Sequence, residues 1–411
     1  MKDIAPTNPI RRRRLRRTVK ALLVCGLVLV VASGGYVGYA AIRAAQPVAL
    51  PTPTGPYPVG RTMLDWTDHT RTDPLAPRPG LPRELSVWLW YPASPGPGAQ
   101  SAPYAPGAWA GLHIGGLPGL GETSFDDVHD HAFADVPVAA GRFPELVLEP
   151  GLGLAAPQYT SIAENLASHG YLVVGLTPTY SASLTVLDGQ TVSATPAGNP
   201  PSSDTAALRP ELNRLVEVWA ADDRFAAAKL ATLDASGRFA GHVNTTTTVY
   251  LGHSFGGAAA LQACGSDPYC AGAADLDGTE FGTIVHSGLS KPMLLIGSQN
   301  SCVTGLCQPA NPDDQAARAA ANTLLAASTG PYWCYQINGA EHFNFSDYGV
   351  YYLAAPIRSV IGLGAINGID ALTITNAYLT AFVDHVTGDR PEPLLNGRTP
   401  YPQVTIQHTP S

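Results

Sequence analysis

The sequence predicts an α/β fold, a mostly parallel sheet flanked by helices on both faces, with a membrane-spanning helix ahead of it. Three observations predict this. Apolar strand-like runs alternate with helical periodicities from about residue 84 to 390, the pattern of units that builds a parallel sheet. Hydrophobic residues are 45% of the chain and charged residues 14%, which suits a large core and argues against disorder. The N-terminal segment sets a basic run against a long uncharged apolar stretch.

That segment comes first in the chain. Arg11 to Lys20 is strongly basic, and Ala21 to Ile42 is uncharged. At about 1.5 Å of rise per residue the stretch is roughly 33 Å long, enough to cross a bilayer core. A cleavable signal usually has only about 7–15 apolar residues, so the stretch reads as an uncleaved anchor. Small residues from Ala41 to Ala45 leave secretion after cleavage as the alternative. The basic side stays in the cytoplasm, so the chain beyond Ile42 lies outside. The boundaries are then 1–20 cytoplasmic, 21–42 anchor, 43–58 Pro-rich linker, 59–395 folded domain and 396–411 tail. The linker should be an extended, semi-rigid stalk.

Nine of the 24 basic residues lie in the first 45 positions, beside the single acid Asp3. The remainder is strongly acidic, and a domain of that charge is repelled by nucleic acid. Five cysteines lie beyond the anchor: Cys264, Cys270, Cys302, Cys307 and Cys334. An oxidising compartment permits local pairs Cys264–Cys270 and Cys302–Cys307, with Cys334 free; spacing alone does not fix the connectivity.

Within the folded domain, Glu84 to Tyr91 alternates like a strand, and Pro92 to Pro106 is a loop. Glu145 to Glu149 is a short strand ending at Gly151-Leu152-Gly153. Tyr159 to His169 reads as a helix and Tyr171 to Leu176 as a buried strand. Ser181 to Pro210 reads as a long loop or lid, and Glu211 to Leu233 as a helix. Thr246 to Leu251, Gly272 to Leu276, Pro292 to Gly297 and Tyr332 to Ile337 read as strands. Phe255 to Ala263, Pro312 to Ser328 and Asp370 to His385 read as helices.

The chemistry centres on Gly252-His253-Ser254-Phe255-Gly256, the one G-x-S-x-G in the chain. It comes after a strand and precedes a helix, the setting of a nucleophile elbow in the α/β-hydrolase fold. Glycines allow the sharp turn, and Ser254 is presented at a helix N-terminus. A serine at its ordinary pKa needs a base, and the base an orienting acid. His342, in a loop after a late strand, is the best base; His286 and His385 read as surface residues. Asp275 and Asp277 both qualify as the acid. The oxyanion hole needs two backbone N–H donors. Phe255, after the nucleophile, supplies one, and Leu152, in the turn after an earlier strand, is well placed for the other.

Two rival readings are weaker. Gly151 to Ala156 imitates a dinucleotide fingerprint, but Leu176, Thr177 and Pro178 stand where its acidic residue belongs. Asp126 to His131 has metal-type donors, but such a loop is more often solvated. No cofactor or metal is therefore expected.

Taken together, Pro56 to Gly60, RELSVWLWYPA, GLGLAAPQYTSIAENLASHGYLVV, GHSFGG, ADLDG and GAEHFNF resemble the platelet-activating-factor acetylhydrolase family of α/β-hydrolases over roughly residues 56 to 390. The resemblance implies Ser254 as nucleophile, Asp277 as acid, His342 as base, and Leu152 and Phe255 as oxyanion donors. The strand pattern agrees on the acid, since Asp277 falls where the chain leaves a strand and Asp275 falls inside it. Pro150 departs from the histidine many members carry before the oxyanion turn, and Thr177-Pro178-Thr179 from a charged motif. The implied activity is hydrolysis of short-chain or oxidised acyl esters, of small molecules or lipids. An extracytoplasmic acyltransferase and a non-catalytic binding protein are the alternatives.

Overall fold

The computed structural model describes residues 9–112, 121–201, 205–388 and 392–410. It opens with α1 (Pro9–Ala44), β1 (Val48–Ala49), β2 (Val59–Thr72), β3 (Pro82–Pro92), β4 (Val128–His129) and β5 (Ala132–Ala134). The middle holds β6 (Phe143–Glu149), α2 (Thr160–Ser168), β7 (Leu172–Thr177), β8 (Thr185–Leu187), β9 (Gln190–Val192), α3 (Thr205–Leu233) and β10 (Val243–His253). Then come α4 (Phe255–Ser266), β11 (Cys270–Leu276), α5 (Ile284–Ser287), β12 (Met293–Gly297), α6 (Pro312–Ala327) and β13 (Tyr332–Ile337). The chain ends with α7 (Ala355–Val360), α8 (Gly368–Gly388) and β14 (Val404–His408).

The main sheet has ten strands in the order β14-β13-β12-β11-β10-β6-β7-β3-β2-β5. From β13 to β7 every pairing is parallel. β3 joins antiparallel to β7, and β14 antiparallel to β13. The halves of the central strands that lead to the site are buried because helices cover both faces, whereas the first half of β10, Asn244 to Thr247, is exposed or half-buried. Along β3 the alternation is visible: Trp88 and Trp90 enter the core under α2 and α8, while Val87, Leu89 and Tyr91 enter the core under α3. The parallel crossovers bring the ends of β6, β10, β11 and β13 to one edge, where loops converge.

Several expectations change. The linker is not a free stalk but lies along the domain. β1 pairs with β4, Leu50 is buried, and the Thr54 N–H and hydroxyl both donate to Asn165 Oδ1. The Tyr57 N–H donates to the Ser168 carbonyl, and a Cβ on Gly55 would fall 2.1 Å from that same oxygen. Prolines make the segment extended, and the N–H groups of Thr54, Gly55 and Tyr57 find acceptors at the end of α2, while that of Leu50 donates to the His129 carbonyl.

The expected tail contains β14, so the sheet reaches residue 408. Within the expected lid, β8 and β9 form a hairpin turning at Asp188 and Gly189, both at positive φ (47° and 74°). Asp-Gly is the pair that such a tight turn favours. α3 begins at Thr205 and carries Pro210 inside it, which removes one helical hydrogen bond near its start.

Cys264–Cys270 and Cys302–Cys307 are disulfides, and Cys334 is free and buried. α1 includes one span, Arg16–Ala44, long and apolar enough to cross a membrane. Its last turns touch the domain: the Tyr36 hydroxyl accepts from the Ala355 N–H (2.9 Å), and Arg43 lies over the Tyr352 ring.

Candidate active site

Ser254 sits between the end of β10 and the first residue of α4. Its φ is 57° and its ψ −125°, a region that side-chain-bearing residues avoid and that marks strain at functional turns. Two glycines permit the turn. A Cβ on Gly252 would lie 2.1 Å from the Gly256 carbonyl oxygen, and one on Gly256 would lie 2.3 Å from that of Pro150. The motif is thus a packing requirement as well as a turn.

His342 opens a short helical turn in the loop after β13. Its Nε2 is 2.9 Å from Ser254 Oγ, and its Nδ1 is 2.7 Å from Asp277 Oδ2. The other oxygen of Asp277 accepts the Ser298 N–H at 2.6 Å. Burial opposes ionisation of Asp277, but hydrogen bonding with His342, the charge on that ring and the Ser298 N–H outweigh it, holding its pKa at about 2. Asp277 therefore stays an anion under the imidazole.

Asp275, the other candidate acid, lies inside β11 with its carboxyl group packed against Gly257 and Gly278. Neither of its oxygens makes a hydrogen bond of normal geometry. Burial raises its pKa far above the ordinary carboxylate range; the nearby Gly278 N–H only partly opposes this, and the charge of Asp277 adds to it.

The turn carrying Leu152 lies against the nucleophile: a Cβ on Gly151 would be 3.3 Å from the Ser254 Cβ. The Leu154 N–H donates to the Gly151 carbonyl, and the Gly151 N–H donates to the Tyr159 hydroxyl. Among the described residues, the N–H groups of Leu152 and Phe255 have no such partner. Beside them stands an apolar wall. Phe255 packs edge-on to Trp219 (4.9 Å between centroids) and against Phe281 (5.7 Å), with Leu152 and Leu208 alongside.

The metal-type loop is engaged elsewhere. Asp130 accepts from Arg61 at 2.9 Å, and His131 Nε2 contacts the Leu50 carbonyl. Two buried residues beside the site, Tyr159 and His253, received no part from the sequence. His253 is visible inside the motif, but its partner Tyr159 stands 94 residues away, so no local signal joined them.

No protein-family model matches this chain, and no curated protein does. Among solved structures it is similar to a ferulic acid esterase from Streptomyces cinnamoneus. The likeness has a TM-score of 0.72 and 27% identity, and covers 89% of this chain and 100% of that one. The fold is that of an α/β-hydrolase esterase. Esterase function, at the level of carboxylic ester hydrolysis by a serine-type enzyme, is what this likeness supports. In an esterase fold, the edge that gathers Ser254, His342 and Asp277 is the edge where active-site loops gather.

Proposed function

We propose that the protein is a serine carboxylic ester hydrolase acting through Ser254, His342 and Asp277. The observation that carries this reading is the continuous contact from Asp277 through His342 to Ser254, at 2.7 and 2.9 Å. Ser254 Oγ attacks the ester carbonyl while His342 Nε2 takes its proton. Asp277 holds the imidazole in the right tautomer and balances its positive charge. The Leu152 and Phe255 N–H groups receive the oxyanion. His342 returns the proton to the leaving alcohol, and water then releases the acid by the reverse sequence. An alcohol in place of water would make the same acyl-enzyme an acyltransferase.

A fluorophosphonate probe should label the protein at Ser254, and Ser254→Ala should abolish labelling and turnover. Labelling that survives the substitution moves the nucleophile elsewhere.

For the substrate, the resemblance to the platelet-activating-factor acetylhydrolase family favours short-chain or oxidised acyl groups. A second reading, an aromatic acyl group, is favoured by the wall of Phe255, Phe281 and Trp219 and by the ferulic acid esterase likeness. A series of chromogenic esters with straight acyl chains, run beside hydroxycinnamate esters, separates the two. Preference for acetyl and butyryl esters supports the first, preference for hydroxycinnamates the second, and activity rising steadily to long chains excludes both.

α1 is read as an uncleaved anchor holding the domain outside the cell. Protease added to intact protoplasts should remove the domain and leave a small membrane fragment. Full protection reverses the topology, and a released protein beginning near Gln46 means cleavage.

A further inference from the structure

Three loops meet at Ser254, each from a different strand. They are the turn after β6 with Leu152, the elbow after β10, and the loop after β13 with His342. A buried line of polar groups connects all three. The Gly151 N–H donates to the Tyr159 hydroxyl at 2.9 Å. That hydroxyl is 2.7 Å from His253 Nδ1, and His253 Nε2 is 3.0 Å from the His342 carbonyl oxygen.

Only one placement of protons satisfies every contact. A carbonyl oxygen only accepts, so His253 Nε2 carries the hydrogen. A neutral imidazole protonated there has a bare Nδ1, so the Tyr159 O–H donates to it. The hydroxyl lone pair is then free for the Gly151 N–H.

We propose that Tyr159 and His253 are positioning residues, aligning the oxyanion turn and the general-base loop on Ser254 through this one chain of hydrogen bonds. The inference rests on the triad reading above and extends it to residues that hydrogen-bond neither the Ser254 hydroxyl nor the His342 ring.

Three further features support it. First, the Leu152 N–H belongs to the same peptide group as the Gly151 carbonyl, which accepts from the Leu154 N–H at 2.9 Å. Gly151 is thus gripped on both sides, and this fixes the direction of the Leu152 N–H. Second, space around Gly151 is closed by the relay itself. A Cβ there would lie 3.1 Å from His253 Nδ1 and 3.4 Å from the Tyr159 hydroxyl oxygen.

Third, His253 is a fixed donor. Its ring is fully buried and its centroid is 4.6 Å from that of His342. Burial, reinforced by the charge of His342 and opposed by Asp277, lowers its pKa to about 3. It stays neutral when His342 takes the Ser254 proton, so the relay holds one arrangement through the catalytic cycle.

The test is a double-mutant cycle on the full-length chain in detergent, with a soluble chromogenic ester as substrate. The variants are Tyr159→Phe, His253→Phe and the pair. Each single variant should lower kcat about 10- to 100-fold with KM within about threefold, because alignment acts on the transition state. Affinity for a trifluoromethyl ketone, which forms the oxyanion, should fall by a similar factor. The pair should be no worse than about twofold below the weaker single variant, because both break one chain.

A merely structural role would instead give losses that multiply, and that outcome overturns the proposal. So does a folded Tyr159→Phe with kcat within about twofold of wild type. If His253→Phe does not fold, His253→Gln closes the cycle, since its amide N–H reaches the same carbonyl. In that background Tyr159→Phe should cost less than in wild type; an equal cost overturns the relay. Labelling that persists in Ser254→Ala sinks the triad itself. Labelling confined to Ser254, with Tyr159→Phe undiminished, sinks the relay alone.

Discussion

Asp277 and Asp275 flank Leu276 at the end of β11, one on the rim of the sheet and one inside it. Both are nearly inaccessible, at 7% and 0% exposure. On the rim, Asp277 faces His342 and the Ser298 N–H and is held at a pKa of about 2. Inside, Asp275 lies close to Glu280, another carboxyl group without a hydrogen-bond partner, and burial lifts both far above the usual range. Glu149, at the end of β6, and Asp223 are a second close pair of buried carboxyl groups, also raised first by burial. Burial therefore does not decide the charge of a carboxyl group here. The donors around it do, and only the rim supplies enough of them.

Three measurements break or sharpen that contrast. Asp277→Asn should lower kcat by about 10⁴ with folding intact by circular dichroism, because the imidazole loses its tautomer and its counter-charge. A loss of less than about tenfold would mean that the rim anion does not serve the base.

The second concerns pH. An unfolded carboxyl group loses its proton near about pH 4. Glu149 and Asp223 keep theirs to well above that value when folded, so the native state binds more protons and stability falls as pH rises. Asp277 works the other way. Its stabilisation is present above about pH 4 and is lost as pH falls toward about 2. Urea midpoints should therefore decline from pH 5 to pH 8, and Glu149→Gln should flatten the slope by up to about 1.4 kcal/mol per pH unit. An unchanged slope would mean that the interior carboxyl groups are ionised.

The smallest effect is expected of Asp275→Asn. Its rate should stay within about tenfold of wild type, since the residue makes no hydrogen bond to a triad side chain. If it lost more rate than Asp277→Asn in folded protein, the assignment of the acid would be reversed.

The triad candidates were legible because each sits on a local signal. Ser254 has its glycines, His342 comes after a strand, and Asp277 precedes a glycine where a strand ends. The central strands were legible where burial on both faces makes them apolar, as along β7, β12 and the second half of β10. β2 was not: its sequence, VGRTMLDWTDHTRT, is polar along much of its length, and its strand character comes from pairing with β3. β14 and the seated linker were missed for a related reason, since both depend on acceptors far away in sequence. The relay is the extreme case. A tyrosine in one helical turn and a histidine in a motif reveal nothing jointly until the fold brings them within 2.7 Å.

The seated linker also sets a distance. A free coil of the length of residues 45–58 would let its domain wander by about 20 Å. With β1 paired to β4, and Thr54, Gly55 and Tyr57 fastened to the end of α2, almost none of that slack remains. For a domain held by α1, the height of the catalytic edge above the lipid is then a built-in dimension. Such an enzyme searches a layer of fixed thickness rather than a volume. Esters that come within that layer are met by lateral diffusion, and those that stay above it are not met at all.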